Sequence, residues 1–219
     1  MPNPALDGPS FGPLAGGDPT GLVVLCHGLG SDGFDLIGLA PIWAPAAPGA
    51  LFRSPHAPER CEGSPTGYQW FPLWDRTPAM LVQGVASGAK ALGGFIDAEL
   101  TRLRLPAEAY VLMGFSQGAM TALHAGLTRP TPPRAILAFS GALLDTSVLA
   151  TPPRPLVLLV HGADDQVVPA ESSRLAARAI TAAGGKVELL IVPGLGHGID
   201  EASLMTGFRV LREVFGGTP

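Results

Sequence analysis

Short apolar runs that alternate with helical stretches constrain the fold of this chain more than any other feature. Five such runs span residues 22–26, 110–114, 135–139, 156–160 and 187–192, and residues 50–54 form a weaker sixth. Each run is too short for a typical helix and is apolar without polar alternation, as strands buried on both faces of a sheet are. The pattern predicts an α/β fold with a doubly wound, mostly parallel sheet.

Helices on both faces of this sheet are predicted from the sequence between the runs. The helical stretches cover residues 32–43, 78–105, 116–129, 169–183 and 200–215. The Pro-rich segment 1–20 predicts a loosely ordered N-terminal arm or, at most, an edge strand. Residues 21–219 are then expected to form one domain, which a length of 219 residues allows.

Composition excludes several classes of protein. The net charge is −4 and charged residues make up only 15% of the chain, so no basic face is expected for nucleic acid or for an anionic membrane surface. Two cysteines make neither a disulfide framework nor a zinc cluster. No signal-peptide pattern opens the chain and no uninterrupted apolar run is long enough to cross a bilayer. We therefore expect a soluble, cytoplasmic protein without stable membrane insertion.

The pentapeptide Gly114–Gly118 (GFSQG) matches the Gly-x-Ser-x-Gly pattern of a nucleophilic serine. The pattern alone is weak in a chain with 29 glycines, but here it lies between a predicted strand and a predicted helix. Such a turn lifts the hydroxyl of Ser116 above the carboxyl edge of the sheet, at a helix N-terminus that favours an oxyanion. The simpler interpretation of Ser116 is a helix cap.

A serine nucleophile needs a base, and His197 is the best candidate among five histidines. It follows the last strand and opens the last helix, where loops project over the same edge of the sheet. The acid is expected in the loop after the preceding strand, since this architecture orders its triad Ser, Asp, His along the chain. Asp164 and Asp165 both lie there, and the residue pattern alone does not separate them.

A Gly-rich loop after the first strong strand predicts an oxyanion hole. Two backbone N–H groups are needed, and Leu29 and Gln117 are placed to provide them. The same loop, residues 27–33 (HGLGSDG), also fits the G-x-G-x-x-G pattern of dinucleotide-binding domains. That alternative lacks the acidic residue expected at the end of the next strand, near residues 51–55.

Four aromatic residues fall within residues 68–74 (YQWFPLW), in a loop bounded by Pro and Gly. Such a cluster either fills the core or forms the wall of a pocket, and the sequence supports both interpretations equally.

Taken together, these segments resemble the phospholipase/carboxylesterase family of α/β-hydrolases. The resemblance covers nearly the whole chain and rests on residues 25–33 (LCHGLGSDG), 54–58 (SPHAP), 69–71 (QWF), 114–119 (GFSQGA), 161–169 (HGADDQVVP) and 196–197 (GH). It implies the α/β-hydrolase fold, Asp165 as the acid, and Leu29 with Gln117 as the oxyanion donors. It further implies that Trp70, Phe71 and Leu73 contact the substrate, in a loop more like that of bacterial carboxylesterases than of eukaryotic thioesterases.

We therefore predict a serine carboxylester hydrolase that acts on small to medium acyl esters through an acyl-enzyme, with no cofactor and no metal. Its expected partner is a small-molecule ester, and the resemblance leaves a homodimer open. An acyl-protein thioesterase or lysophospholipase with the same triad is the alternative. A non-catalytic or dinucleotide-binding α/β domain is a distant one.

Overall fold

A seven-stranded sheet forms the centre of the computed structural model, which describes residues 6–150 and 155–216. Its strand order is β1–β3–β2–β6–β7–β8–β9. In chain order these strands are β1 (Ser10–Phe11), β2 (Gly21–Cys26), β3 (Ala50–Arg53), β6 (Tyr110–Phe115), β7 (Ala135–Phe139), β8 (Leu156–Gly162) and β9 (Val187–Val192). Two further strands, β4 (Glu59–Arg60) and β5 (Tyr68–Gln69), form a small hairpin outside the sheet.

Strand direction and connection order place a crevice between β2 and β6. All neighbouring strands of the sheet run parallel except β1, which pairs antiparallel with the edge of β3. From β2 the chain moves outward to β3, and it then crosses back over β2 to reach β6. Connections therefore diverge on either side of β2 and β6, and ligands bind at the carboxyl ends of strands where this happens.

Helices cover both faces of the sheet, as predicted. They are α1 (Gly33–Ile37), α2 (Ala40–Trp43), α3 (Pro78–Leu103), α4 (Gln117–Thr128), α5 (Glu171–Ala182) and α6 (Glu201–Phe215). Alternate residues along each central strand enter two separate cores, one under α3, α4 and α5 and the other under α1, α2 and α6. This arrangement explains the continuous apolar runs of β2, β3, β6, β7 and β8, since both faces of these strands are buried. The edge strand β9 is only partly buried. The predicted fold class is confirmed.

Two local features differ from the sequence prediction. The helix expected at 32–43 is two short helices, because Pro41 lies in the first turn of α2 and proline cannot continue a helix from the turn before it. The β4–β5 hairpin was not predicted at all, since each of its strands is only two residues long. In segment 1–20, which was expected to be a loose arm or an edge strand, Ser10–Phe11 forms an edge strand, while residues 1–5 lie outside the described residues.

Helix α3 bears on the expectation that no uninterrupted apolar run is long enough to cross a bilayer. Among the described residues it is the one helix long and apolar enough, by length and composition alone, to cross a membrane. The charged Lys90 interrupts the apolar run of this helix in the sequence. Leu92 and Ile96 on one side of the helix are fully buried in the core, so α3 is a layer of the folded domain.

Candidate active site

Ser116 lies at the carboxyl end of β6, in the turn that leads directly into α4. Its backbone has φ 54° and ψ −119°, a strained conformation that an L-residue adopts only when its surroundings enforce it. The two flanking glycines make the turn possible. A Cβ on Gly114 would lie 2.3 Å from the carbonyl oxygen of Gly118, and one on Gly118 would lie 2.0 Å from the carbonyl oxygen of Cys26.

The structure brings Ser116, His197 and Asp165 together from three separate strand ends. The Nε2 atom of His197 is 3.0 Å from the Oγ of Ser116. Its Nδ1 is 2.7 Å from Oδ2 of Asp165. Since a carboxylate only accepts, Nδ1 carries the proton and Nε2 is left to accept the hydroxyl proton of the serine. A base within reach of a hydroxyl, itself oriented by an acid, is the arrangement that activates a serine.

The neighbouring aspartates separate clearly in the structure. The side chain of Asp165 is fully buried, whereas Asp164 is exposed. The other carboxylate oxygen of Asp165, Oδ1, accepts hydrogen bonds from the backbone N–H groups of Val167 (2.8 Å) and Val168 (2.9 Å). Burial by itself would raise the pKa of this carboxyl, but the hydrogen bonds from His197, Val168 and Val167 outweigh burial and hold the pKa below its ordinary value. Asp165 is therefore a carboxylate at neutral pH.

A second histidine supports the same carboxylate. His161 is fully buried at the end of β8, and its Nε2 lies 3.2 Å from Oδ2 of Asp165 and 2.8 Å from the carbonyl oxygen of Val168. Its Nδ1 is 2.7 Å from the hydroxyl of Ser173, which can donate to it. The ring thus fixes the loop that carries Asp165. The sequence analysis assigned no role to His161, because this role depends on which groups face the ring in three dimensions.

The loop after β2 lies beside Ser116 and is anchored from two directions. Its Gly30 N–H donates to the carbonyl of Tyr68 in the hairpin (2.9 Å), and the indole N–H of Trp70 donates to the carbonyl of His27 (2.9 Å). Burial lowers the pKa of His27, whose neutral ring donates from Nδ1 to Gly28 and accepts at Nε2 from the N–H of Ala57. His27 is therefore part of the scaffold of this loop.

Leu29 and Gln117, the two expected oxyanion donors, line the same cavity as Ser116. No described residue accepts a hydrogen bond from the backbone N–H of either one. The side chain of Gln117, in contrast, is held by two hydrogen bonds. Its Oε1 accepts from the N–H of Trp70 (2.9 Å) and its Nε2 donates to the carbonyl of Phe71 (2.6 Å). Two backbone donors are thus left free beside Ser116.

A cavity of about 390 Å³ opens at Ser116 and His197. One of its walls is aliphatic and comes from the loop before α3, from α3, from α4 and from the loop after β7; its residues are Leu73, Leu81, Met120 and Leu144. Sequence reasoning missed Met120, although a residue four places after the serine must lie one helical turn above it. Leu81 and Leu144 carry no sequence signal, since only the fold brings their segments to the cavity.

The expectation that Trp70 and Phe71 contact the substrate needs correction. Their side chains are only 1% and 0% exposed and do not line the cavity. They instead fill the core against α3, where a Cβ on Gly84 would lie 2.9 Å from the Phe71 ring. Of the three residues expected to contact substrate, Leu73 alone is on the cavity wall. The two aromatic residues act indirectly, by holding the loops that border the cavity.

Similarity to known proteins extends over most of the chain. Residues 15–213 match the sequence model of the family described as Phospholipase/Carboxylesterase. Esterase YpfH of Escherichia coli is 30% identical over 203 residues, which cover 87% of this chain and 82% of that protein. Acyl-protein thioesterase 1 of Gibberella zeae is 29% identical over 197 residues, covering 81% and 83% of the two chains. The crystal structure of esterase PE8 superimposes with a TM-score of 0.89 at 38% identity, covering 95% of this chain and 99% of that one.

Proposed function

The chain belongs to the phospholipase/carboxylesterase family and is a serine hydrolase, and we propose that it cleaves small to medium acyl esters with Ser116, His197 and Asp165 as its catalytic triad. The observation that carries this proposal is the 3.0 Å separation between the serine hydroxyl and a histidine whose other nitrogen is 2.7 Å from a buried carboxylate. An aliphatic cavity that opens at that serine supports an acyl substrate.

In the proposed mechanism, Nε2 of His197 takes the hydroxyl proton while Oγ of Ser116 attacks the ester carbonyl. The resulting oxyanion accepts hydrogen bonds from the backbone N–H groups of Leu29 and Gln117. The tetrahedral intermediate collapses as protonated His197 gives its proton to the departing alcohol, which leaves an acyl group on Ser116. Water then gives a proton to the same nitrogen and attacks the acyl carbonyl, and collapse of the second intermediate releases the acid and restores the hydroxyl.

Asp165 has an electrostatic role in this scheme. It keeps the proton on Nδ1 of His197, so that Nε2 is available as the base, and it stabilises the imidazolium formed when the serine attacks. It does not itself take up a proton, in keeping with a pKa held below its ordinary value.

The test is Ser116→Ala, assayed on p-nitrophenyl esters with acyl chains of two to sixteen carbons. Loss of the nucleophile should lower kcat by about 10⁴-fold or more on every ester. Labelling of the wild type by a fluorophosphonate probe should also disappear. Activity on acyl chains of intermediate length should exceed activity on the longest ones, because the cavity is small.

Ser140→Ala is the matched control. Ser140 directly follows the neighbouring strand β7, is buried and has φ 50°, and its hydroxyl has no partner among the described residues. It should keep both turnover and labelling. Hydrolysis that survives in Ser116→Ala would show that the nucleophile has been misassigned.

A thioesterase is the second candidate, favoured by the similarity to acyl-protein thioesterase 1 of Gibberella zeae. The same triad would cleave a thioester through the same acyl-enzyme. Comparing kcat/KM for an acyl thioester with that for the oxygen ester of equal chain length separates the two. A cytoplasmic location and the pairing of two copies stay predictions alongside this proposal.

A further inference from the structure

Arg76 is an unusual residue in the cavity that holds Ser116. Apart from His197 it is the one titratable side chain among the described residues that line this cavity, and the wall around it is aliphatic. Its Nε donates to the carbonyl of Leu73 at 3.3 Å, which fixes the side chain to the loop that contributes the wall. No carboxylate of the described residues lies within 4 Å of the guanidinium, so its charge has no internal partner.

The role of His197 as proton donor indicates which part of a substrate would lie near Arg76. Because His197 gives its proton to the departing alcohol, that alcohol must lie beside the imidazole. Val167 and Val168, from the loop that carries Asp165, line this side of the cavity. The remaining wall belongs to other segments, and it is left for the acyl group. The hydrogen bond from its Nε to the carbonyl of Leu73 places Arg76 beside Leu73. Leu81, Met120 and Leu144 line the same cavity and, like Leu73, pack against the core under α3, α4 and α5.

We propose that Arg76 binds a carboxylate at the far end of the acyl chain, so that the preferred substrates are monoesters of dicarboxylic acids. This inference rests on the proposed function, since it assigns the acyl side from the role of His197. A guanidinium binds a carboxylate through two parallel N–H donors, which gives both affinity and a defined geometry. The aliphatic wall would cover the methylene groups between the ester and the carboxylate.

The charge of the rest of the chain makes this local cation important. A net charge of −4 repels an anionic substrate at long range, so an acidic acyl chain gains only from a cation placed at the site itself. Arg76 is exposed at the cavity, which leaves its attraction open to screening by salt. The preference for acidic esters should therefore weaken as ionic strength rises.

The experiment compares kcat/KM for monomethyl adipate and monomethyl suberate with that for the neutral methyl hexanoate and methyl octanoate. In Arg76→Gln the ratio of acidic to neutral kcat/KM should fall about tenfold, the loss expected when one charged hydrogen-bonding partner is removed. The loss should appear as a higher KM for the acidic esters, because a contact remote from the reacting carbonyl is made equally in ground state and transition state. Arg76→Lys should retain part of the preference, since it keeps the charge and loses the planar fork.

Lys90→Gln is the matched control, because it removes one exposed positive charge from α3 outside this cavity and should leave the ratio unchanged. The inference is overturned if Arg76→Gln has the same ratio as the wild type. It is also overturned if Lys90→Gln lowers the ratio as much as Arg76→Gln, which would indicate a general effect of charge. Failure of the proposed function looks different, because the wild type would then hydrolyse neither kind of ester.

Discussion

Asp165 shows how a single side chain is prepared for its role by its surroundings. Both of its oxygens accept hydrogen bonds, Oδ1 from the backbone of Val167 and Val168 and Oδ2 from His197. These donors favour the charged form and depress the pKa in spite of burial. The carboxylate is consequently a source of stability as well as of orientation.

A dependence of stability on pH follows from this depressed pKa. The ordinary pKa of an aspartate is about 4, so below that pH the unfolded chain binds a proton that folded Asp165 does not. The stabilisation is fully present above the unfolded pKa and is lost as the pH falls through the lower, folded pKa. Asp165→Asn should therefore show a smaller loss of unfolding free energy between about pH 5 and pH 2 than the wild type.

Urea unfolding across this pH range measures the effect, with Asp164→Asn as the control. Asp164 is the exposed neighbour, so its replacement should leave the pH dependence of the wild type unaltered. Identical slopes for wild type and Asp165→Asn would contradict the assignment of this stabilisation to Asp165.

At the level of elements, the start of helix α4 is packed against the end of strand β2. The two backbones approach so closely at Gly118 that a Cβ there would lie 2.0 Å from the carbonyl of Cys26 and 2.5 Å from that of His27. Helix α3 offers the opposite situation. Gly94 lies in its middle, exposed, with nothing within 4 Å of the position of an added Cβ.

Opposite outcomes are therefore expected for the same change in two helices. Gly118→Ala should destabilise the protein by about 3 kcal/mol or more, since backbone atoms must move to admit the methyl group. It should also lower kcat, because the displaced segment borders Ser116. Gly94→Ala should stabilise by about 1 kcal/mol through helix propensity alone. Urea unfolding and ester turnover measure both, and a Gly118→Ala variant as stable as the wild type would refute the packing argument.

Strands and helices whose own side chains form an apolar pattern could be predicted from the sequence. Elements that exist only through pairing with another segment could not. The six strands with apolar runs and the long helices were found because their side chains alone carry the pattern. The β4–β5 hairpin was missed because its residues pair with each other and with the loop after β2 rather than with the core. For the same reason the sequence around Trp70 was consistent with a core position and with a pocket wall. Only the three-dimensional surroundings of the indole ring show that Trp70 belongs to the core.

The candidate site was more predictable than the cavity around it. Ser116 and His197 follow from the chain order of strand ends, which the alternating pattern reveals. Asp165 was separated from Asp164 only through a family resemblance, whereas the structure separates them by burial. Wall residues such as Leu144 come from segments far apart in sequence, and no local pattern marks them.

For the molecule as a whole, each face of the sheet has its own tryptophan. Trp43 is fully buried in the core under α1, α2 and α6, and its indole N–H donates to the carbonyl of Leu204 at 2.9 Å. Trp70 is buried in the core under α3, α4 and α5. Because every central strand contributes residues to both cores, neither face can lose its packing without disturbing the other.

We therefore expect the two cores to unfold together. Trp74, which is 70% exposed, is replaced by Phe in every variant so that its fluorescence does not contribute. In that background, Trp43→Phe leaves the signal of Trp70, and Trp70→Phe leaves the signal of Trp43. In each variant, the midpoint of urea unfolding by fluorescence should coincide with the midpoint by circular dichroism, as for one cooperative unit. Separate midpoints within one variant would show that the two faces unfold independently.

The order in which the three proposed catalytic groups occur along the chain would determine when hydrolysis can begin. Ser116 and Asp165 precede strand β9, whereas His197 follows it. A ribosome delivers the chain from its amino end, so a nascent chain can already hold the hydroxyl and the carboxylate while its imidazole is still in the exit tunnel. Until β9 has emerged and joined the sheet, such a nascent chain would not hydrolyse esters.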